Sequence, residues 1–317
     1  MEGVPLLIIL GPTASGKTKL AVQLAAALNG EIISADSRQV FRGMDIGTGK
    51  DLAEYELSGS KIRHHLIDIR DAGEKYHVDS FKQDFYASFK DVSGRGLLPI
   101  LCGGTGMYIH SLLQNHRYTS IPVNLELRSK LINCSTEELK ATLGTFPPKL
   151  TIHADQSTNK RLIRAIEVAS FLQSGELIEQ RQEKFVPSVI GLTEDVKSRR
   201  KKIENRLSDR FNQGLIREVE SLLASGVSAE ILTFYGLEYK MIVSYLKHEI
   251  TLAELKERLF NGICQYAKRQ MTFFRKMEKD GVKIRWYQAD KPLDELTKVI
   301  LHDLENAGFS RIEIDDL

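Results

Sequence analysis

The chain has 317 residues, with 44 lysines and arginines against 42 aspartates and glutamates, a formal charge of +2, and 42% hydrophobic residues. This is an ordinary globular balance; it excludes a disordered acidic chain and a protein coated in positive charge throughout. The length suits one large domain or two modest ones. No stretch approaches the roughly 18 apolar residues of a membrane-spanning helix. Residues 4–10 lack the basic lead and cleavage site of an export signal, so a cytoplasmic protein with no membrane partner is expected. Cys102, Cys134 and Cys264 are far apart and odd in number, which fits reduced thiols better than a disulfide framework or a metal site.

Residues 4–10 form an unbroken apolar run ended by Gly11-Pro12 and read as a buried strand. Residues 17–28 carry a helical period closed by Asn29-Gly30. Strands are expected at 31–35, 65–69 and 97–102, and helices at 78–92 and 105–114. Strands separated by helices point to an α/β fold, a parallel sheet flanked by helices. Residues 118–184 change texture: mostly helical, broken at Phe146-Pro147-Pro148, with no convincing strand. They read as a helical insertion between a first part of the core, 1–117, and its remainder, 185–317. A short apolar stretch at 186–192 returns to the sheet. Long helices follow at 196–224, 229–245 and 252–279, then a strand at 282–287, a last helix and an acidic tail read as a solvated end.

Gly11-Pro12-Thr13-Ala14-Ser15-Gly16-Lys17-Thr18 matches the phosphate-loop pattern G-x-x-x-x-G-K-[ST], between an apolar strand and an amphipathic helix. The glycines let successive backbone N–H groups face one point, and the helix N-terminus adds partial positive charge. Lys17 supplies a mobile ammonium, and the Thr18 hydroxyl suits Mg²⁺. The loop holds a phosphate chain without saying whose. Asp36-Ser37 lies past the second strand, at the carboxyl edge where ligands of open parallel sheets bind. There Asp36 can meet a metal or accept a proton. Asp68, after the third strand, is a rival carboxylate with a structural reading preferred. Gly103-Gly104-Thr105-Gly106 follows the fourth strand at the same edge.

Charge is unevenly spread. Residues 196–288 hold 19 basic and 11 acidic residues, a net +8, whereas 289–317 hold 3 and 8, a net −5. On an ideal helix Arg199, Lys202, Arg206, Arg210 and Arg217 share one face beside Ile203, Leu207 and Phe211. A second basic cluster surrounds Gln265-Tyr266-Ala267-Lys268-Arg269-Gln270, and Arg161 and Arg164 lie one turn apart. Together these favour a nucleic acid or another polyanion.

The phosphate loop, Ser34-Ala35-Asp36-Ser37-Arg38-Gln39-Val40-Phe41-Arg42-Gly43-Met44-Asp45-Ile46-Gly47-Thr48-Gly49-Lys50, His64-His65-Leu66-Ile67-Asp68-Ile69, Gly103-Gly104-Thr105-Gly106-Met107-Tyr108, Arg161-Leu162-Ile163-Arg164-Ala165-Ile166-Glu167 and the Gln265–Gln270 block resemble, in order, the tRNA dimethylallyltransferase (tRNA isopentenyltransferase) family. The resemblance spans about residues 5–285. It implies transfer of a dimethylallyl group from dimethylallyl diphosphate to N6 of adenosine 37, beside the anticodon of tRNA, with Mg²⁺. It implies Asp36 as general base, with Thr13, Lys17 and Thr18 on the diphosphate and its metal. Asp36, Ser37, Arg38, Gln39 and Thr105 would line the base site. Arg128 and the stretch Lys160, Arg161, Leu162, Ile163 and Arg164 would grip the anticodon stem-loop from the insertion, and Gln265, Lys268 and Arg269 would meet tRNA from the last long helix. A monomer is expected. The chain departs from the family at Phe41 for tyrosine, Gly49 for alanine, Asp51 for proline and Phe273 for tryptophan. It departs also around Gly236-Leu237-Glu238-Tyr239-Lys240 and at residues 153–160. A small-molecule or nucleotide kinase binding ATP, an adenylate prenyltransferase and an RNA-binding ATPase switch remain alternatives.

Overall fold

A computed structural model describes residues 3–114, 117–152, 154–175 and 183–309. The strands are β1 Val4–Leu10, β2 Gly30–Ser34, β3 Glu56–Leu57, β4 Ser60–Lys61, β5 His64–His65, β6 Leu98–Gly103, β7 Phe185–Thr193 and β8 Arg285–Gln288. The helices are α1 Lys17–Leu28, α2 Val78–Gly94, α3 Gly106–Leu113, α4 Leu125–Leu131, α5 Thr136–Gly144, α6 Pro148–Thr151, α7 Asn159–Ser174, α8 Val196–Asn212, α9 Leu215–Ala224, α10 Ala229–Tyr235, α11 Leu237–Leu246, α12 Leu252–Lys279 and α13 Leu293–Asn306. Six strands form a parallel sheet in the order β5-β2-β6-β1-β7-β8, and β3 and β4 make a small antiparallel hairpin. The fold is therefore the expected α/β parallel sheet flanked by helices.

Alternation along β1 shows why its sequence is apolar throughout. Leu6, Ile8 and Leu10 face one core, with α2, α3 and α8 to α12. Leu7 and Ile9 face the other, with α1 and α13. A strand buried on both sides has no polar face to display. Two compact units emerge: 1–114 with 183–317, and 115–182. In the smaller unit α4 to α7 surround Leu131, Leu139, Leu143, Leu162, Ile163 and Ile166; among the described residues it holds no strand. Part of the expected insertion, 176–182, lies outside the described residues, as do His153 and the tail after 309. Among the described residues no helix is long and apolar enough to cross a membrane.

Four expected elements differ. The strand expected at 65–69 stops at His65, because Leu66 and Asp68 adopt positive φ of 62° and 55°, which breaks extended backbone. The helix expected at 196–224 is two, α8 and α9, separated at Gly214 with φ 98°. Arg217 therefore does not continue the α8 face. The helix expected at 229–245 breaks at Gly236, whose φ of 147° suits glycine alone. The strand expected from 282 starts at Arg285.

At the start of β2, the buried Glu31 carboxylate accepts two hydrogen bonds from Arg95, both 2.6 Å, and meets His65 Nε2 at 2.7 Å. Burial alone would raise its pKa; the Arg95 and His65 hydrogen bonds outweigh this and hold it down at about 2. A depressed carboxyl contributes stability that is complete above its unfolded value of 4.5 and is lost as pH falls toward about 2. Arg95→Gln should therefore destabilise the protein at neutral pH, and the gap to wild type should narrow between about pH 5 and about pH 3. Urea midpoints across that range check this, and a gap that stays constant refutes it.

Candidate functional site

In the sheet, β6 lies between β1 and β2. The segments leaving these three strands at their carboxyl ends are the phosphate loop, the Asp36 turn and Gly104-Thr105, so the topology alone brings them to one edge. Ala14 and Gly16 take positive φ, 63° and 78°, which turns the loop into a cradle of N–H groups ahead of α1. Lys17, the first residue of α1, folds back so that Nζ is 3.5 Å from the Pro12 carbonyl. Burial lowers its pKa, and the Asp36 carboxylate is among the charges that oppose the shift. Cys102 lies beneath, its thiol pushed up to about 12 by burial and thus inert at neutral pH.

Asp36 is half-buried. Its Oδ1 accepts from the N–H groups of Arg38, 2.8 Å, and Gln39, 3.4 Å. Its Oδ2 has no hydrogen-bond partner among the described residues. Thr105 Oγ1 accepts the Ser37 N–H at 3.1 Å, which leaves its own hydrogen available to donate. Gln270 of α12 ties the edge together: its Oε1 accepts the Thr13 N–H and its Nε2 donates to the Gly104 carbonyl, both at 2.9 Å.

A narrow recess beside the phosphate loop is lined by Thr13 and Ala14, by Arg206 and Arg210 of α8, and by aliphatic side chains of α8 and α12. Arg206 pairs with Asp51 and donates to the Gly49 carbonyl at 3.2 Å. The same carbonyl accepts from Gln39 Nε2 at 3.1 Å. The sequence reading took these arginines as a basic helix face; the structure turns them inward.

Residues 39–277 match the family described as IPP transferase. The chain belongs to that family. It is 44% identical to tRNA dimethylallyltransferase 2 of Bacteroides fragilis over 96% of this chain and 99% of that protein. It is 46% identical to tRNA dimethylallyltransferase 2 of Phocaeicola vulgatus over 95% and 98%. Among solved structures, the full-length tRNA isopentenylpyrophosphate transferase of Bacillus halodurans is similar at 31% identity and a TM-score of 0.69, covering 96% of this chain and 98% of that one. A eukaryotic dimethylallyltransferase acting on tRNA shares the fold at TM-score 0.76 and 20% identity.

Within this IPP transferase family member the expected tRNA contacts separate into two groups. Ser37, Arg38, Gln39 and Thr105 gather at the sheet edge with Asp36. Gln265, Lys268 and Arg269 are exposed on α12, and Lys160 and Arg161 are exposed at the start of α7. Leu162 and Ile163 are core residues of the smaller unit, 0% and 9% exposed, so the expectation that they touch tRNA is corrected: their side chains pack against Leu139 and its neighbours. Arg128 and Arg164 both engage the buried Glu167, and Arg164 also donates to the carbonyls of Tyr118 and Ile121 at 3.0 and 2.7 Å. Asp68 pairs with the buried Lys50, which also meets Asp45 and the Phe41 carbonyl, so Asp68 is structural.

Sequence reasoning missed Glu218. Its carboxylate accepts the N–H groups of Asp45, Ile46 and Gly47 at 2.7, 2.6 and 2.9 Å and the Tyr239 hydroxyl at 2.8 Å. Gly47 admits this arrangement because a Cβ there would lie 2.6 Å from the Tyr239 oxygen. No local pattern signals such a clasp, since its backbone donors lie about 170 residues away. Glu218→Ala should cost about 3 kcal/mol in urea denaturation, since several charge-assisted bonds are lost at once. Amide exchange at residues 45–47 should speed up; unchanged exchange there would refute the clasp.

Proposed function

We propose that the chain transfers the dimethylallyl group of dimethylallyl diphosphate to N6 of adenosine 37 in the anticodon stem-loop of tRNA and releases diphosphate. The observation that carries this reading is the juxtaposition, at one sheet edge, of a phosphate cradle with Lys17 and a carboxylate, Asp36, with one oxygen uncommitted. Relatives named as tRNA dimethylallyltransferases support it. The exposed basic residues of α12 and α7 favour it over a small-molecule kinase or an adenylate prenyltransferase, neither of which needs them. A monomeric cytoplasmic enzyme fits the same reading.

The chemistry follows from the residues. Gly11 to Thr18 and Lys17 hold the diphosphate, and their N–H groups and ammonium stabilise the charge that grows as the allylic C–O bond breaks. The adenine amine attacks the allylic carbon, and its proton passes to Asp36 Oδ2. Ser37, Arg38, Gln39 and Thr105 position the base once it has left the anticodon stack, at an unstacking cost of a few kcal/mol. Lys268, Arg269, Gln265, Lys160 and Arg161 offset this cost through tRNA contacts.

Mg²⁺ takes hard oxygen ligands. The Thr18 hydroxyl in the first turn of α1, and the buried Ser15 Oγ without a hydrogen-bond partner among the described residues, are donors of that kind beside the loop. The residues fit a magnesium diphosphate, and the ion would help neutralise the leaving group when bound.

Incubation with dimethylallyl diphosphate, Mg²⁺ and unmodified tRNA should release diphosphate only when tRNA is present. Under those conditions Asp36→Ala should lower the single-turnover rate by about 100-fold or more while tRNA affinity stays near wild type. Loss of tRNA binding with a surviving rate would remove Asp36 from the base role. Lys268→Ala should weaken tRNA binding and reduce the slope of log affinity against log salt by about one; an unchanged slope would assign Lys268 to the fold.

A further inference from the structure

Arg210 is a buried charge that the site as described leaves incompletely partnered. It is 8% exposed, and its Nε has no hydrogen-bond partner among the described residues. Its nearest counter-charge, Glu238 Oε1, stands 3.7 Å from Nη1, beyond hydrogen-bond range. A buried guanidinium needs both a counter-charge and acceptors for its N–H groups; here the counter-charge is distant and the buried Nε lacks an acceptor among the described residues. The side chain nevertheless has a prepared place. A Cβ on Gly49 would lie 1.9 Å from Arg210 Nη2, so alanine at position 49 and this placement of Arg210 exclude each other. Glycine at 49, which also takes a positive φ of 64°, leaves that space open.

The direction of the unmet need is set by what shares the recess. Arg210 and Arg206, one helical turn apart, line it together with Thr13 and Ala14 of the phosphate loop. Arg206 is already committed to Asp51 and the Gly49 carbonyl.

We propose that Arg210 is a diphosphate-binding residue, a buried guanidinium whose missing acceptors are oxygens of the diphosphate held by the phosphate loop, in a position opened by Gly49. The proposal rests on the reading of the loop as a diphosphate site. Like-charged neighbours that are costly in the free enzyme become favourable once the anion arrives, so the site is tuned to a highly charged group. Glu238 then acts as the partial counter-charge that makes burial of Arg210 tolerable before binding.

The test titrates inorganic diphosphate with Mg²⁺ into the full chain by calorimetry. Arg210→Gln leaves the half-buried Glu238 without its partner, so the double variant Arg210→Gln/Glu238→Gln, which removes both charges, is measured beside it. The expected result is a melting temperature near wild type for the double variant and a diphosphate Kd raised about tenfold or more. In turnover, KM for dimethylallyl diphosphate should rise while KM for tRNA stays unchanged, a split that a purely structural role would not produce. Lys17→Ala serves as the control for the loop. If Lys17→Ala abolishes binding and the double variant binds within about twofold of wild type, the Arg210 proposal is overturned and the loop reading stands. If Lys17→Ala binds as wild type does, the loop reading fails and the proposal fails with it. Should neither glutamine variant fold, Arg210→Lys decides on the same criterion, since it keeps the charge but loses the planar donor set.

Discussion

Gln270 is the interaction on which the arrangement of the site depends. The phosphate loop and the Asp36 turn leave different strands, and group transfer requires a fixed spacing between them. Gln270 accepts from Thr13 and donates to Gly104; Thr105, next in the chain, accepts from Ser37 beside Asp36. A continuous set of bonds thus runs from the phosphate cradle to the carboxylate by way of a side chain on α12. A Cβ on Gly104 would stand 2.4 Å from Gln270 Nε2, so the glycine is the residue that admits the bridge. The buried amide also satisfies two backbone groups that would otherwise be left unpaired at the bottom of the site. The same helix presents Lys268 and Arg269 on its exposed side, two residues and one residue before Gln270. One element therefore orders the chemistry with one face and offers charge to a polyanion with the other.

Basic residues in this chain serve two purposes, and only burial separates them. Arg206, Arg210, Lys50, Arg128 and Arg164 all face carboxylates of the protein itself: Asp51, Glu238, Asp45 with Asp68, and Glu167 for the last two. Lys160, Arg161, Lys268 and Arg269 remain on the surface. Charge counted along the sequence mixes the two sets, which is why a net +8 over residues 196–288 overstates the surface available to nucleic acid. In the smaller unit, Arg128 and Arg164 hold the segment around 118–124 to α7 through Glu167. That leaves the first turn of α7 as its exposed basic feature in the stretch 160–164.

The parallel sheet, the phosphate loop and the Asp36 turn were legible because each depends on local signals: a double-faced apolar strand, a glycine pattern, a helix start. What escaped depends on tertiary partners. Glu218 looks like one more acid on an amphipathic helix until its three backbone donors, some 170 residues earlier, are in place. Leu162 and Ile163 inherited a binding role from the arginines around them, although their apolar side chains at helical spacing already argue for a core. Gly49 was visible as a departure from the resemblance and Arg210 only as one member of a basic helix face; the distance between them makes them one feature. The breaks at Gly214 and Gly236 were misread because a single glycine within a long helical period does not say whether the helix tolerates it or stops.

The segment from Phe41 to Asp51 joins the two halves of the proposed chemistry. Its carbonyl at Gly49 accepts at once from Gln39, three residues past Asp36, and from Arg206, which borders the phosphate loop. Its position is imposed from three sides, by the Glu218 clasp on residues 45–47, by Lys50 buried against Asp45 and Asp68, and by Arg210 filling the space above Gly49. A segment held this firmly transmits displacement instead of absorbing it, because packed interiors yield little. Any movement of Arg206 toward a bound diphosphate would therefore pull on the same carbonyl that orients Gln39 on the acceptor side.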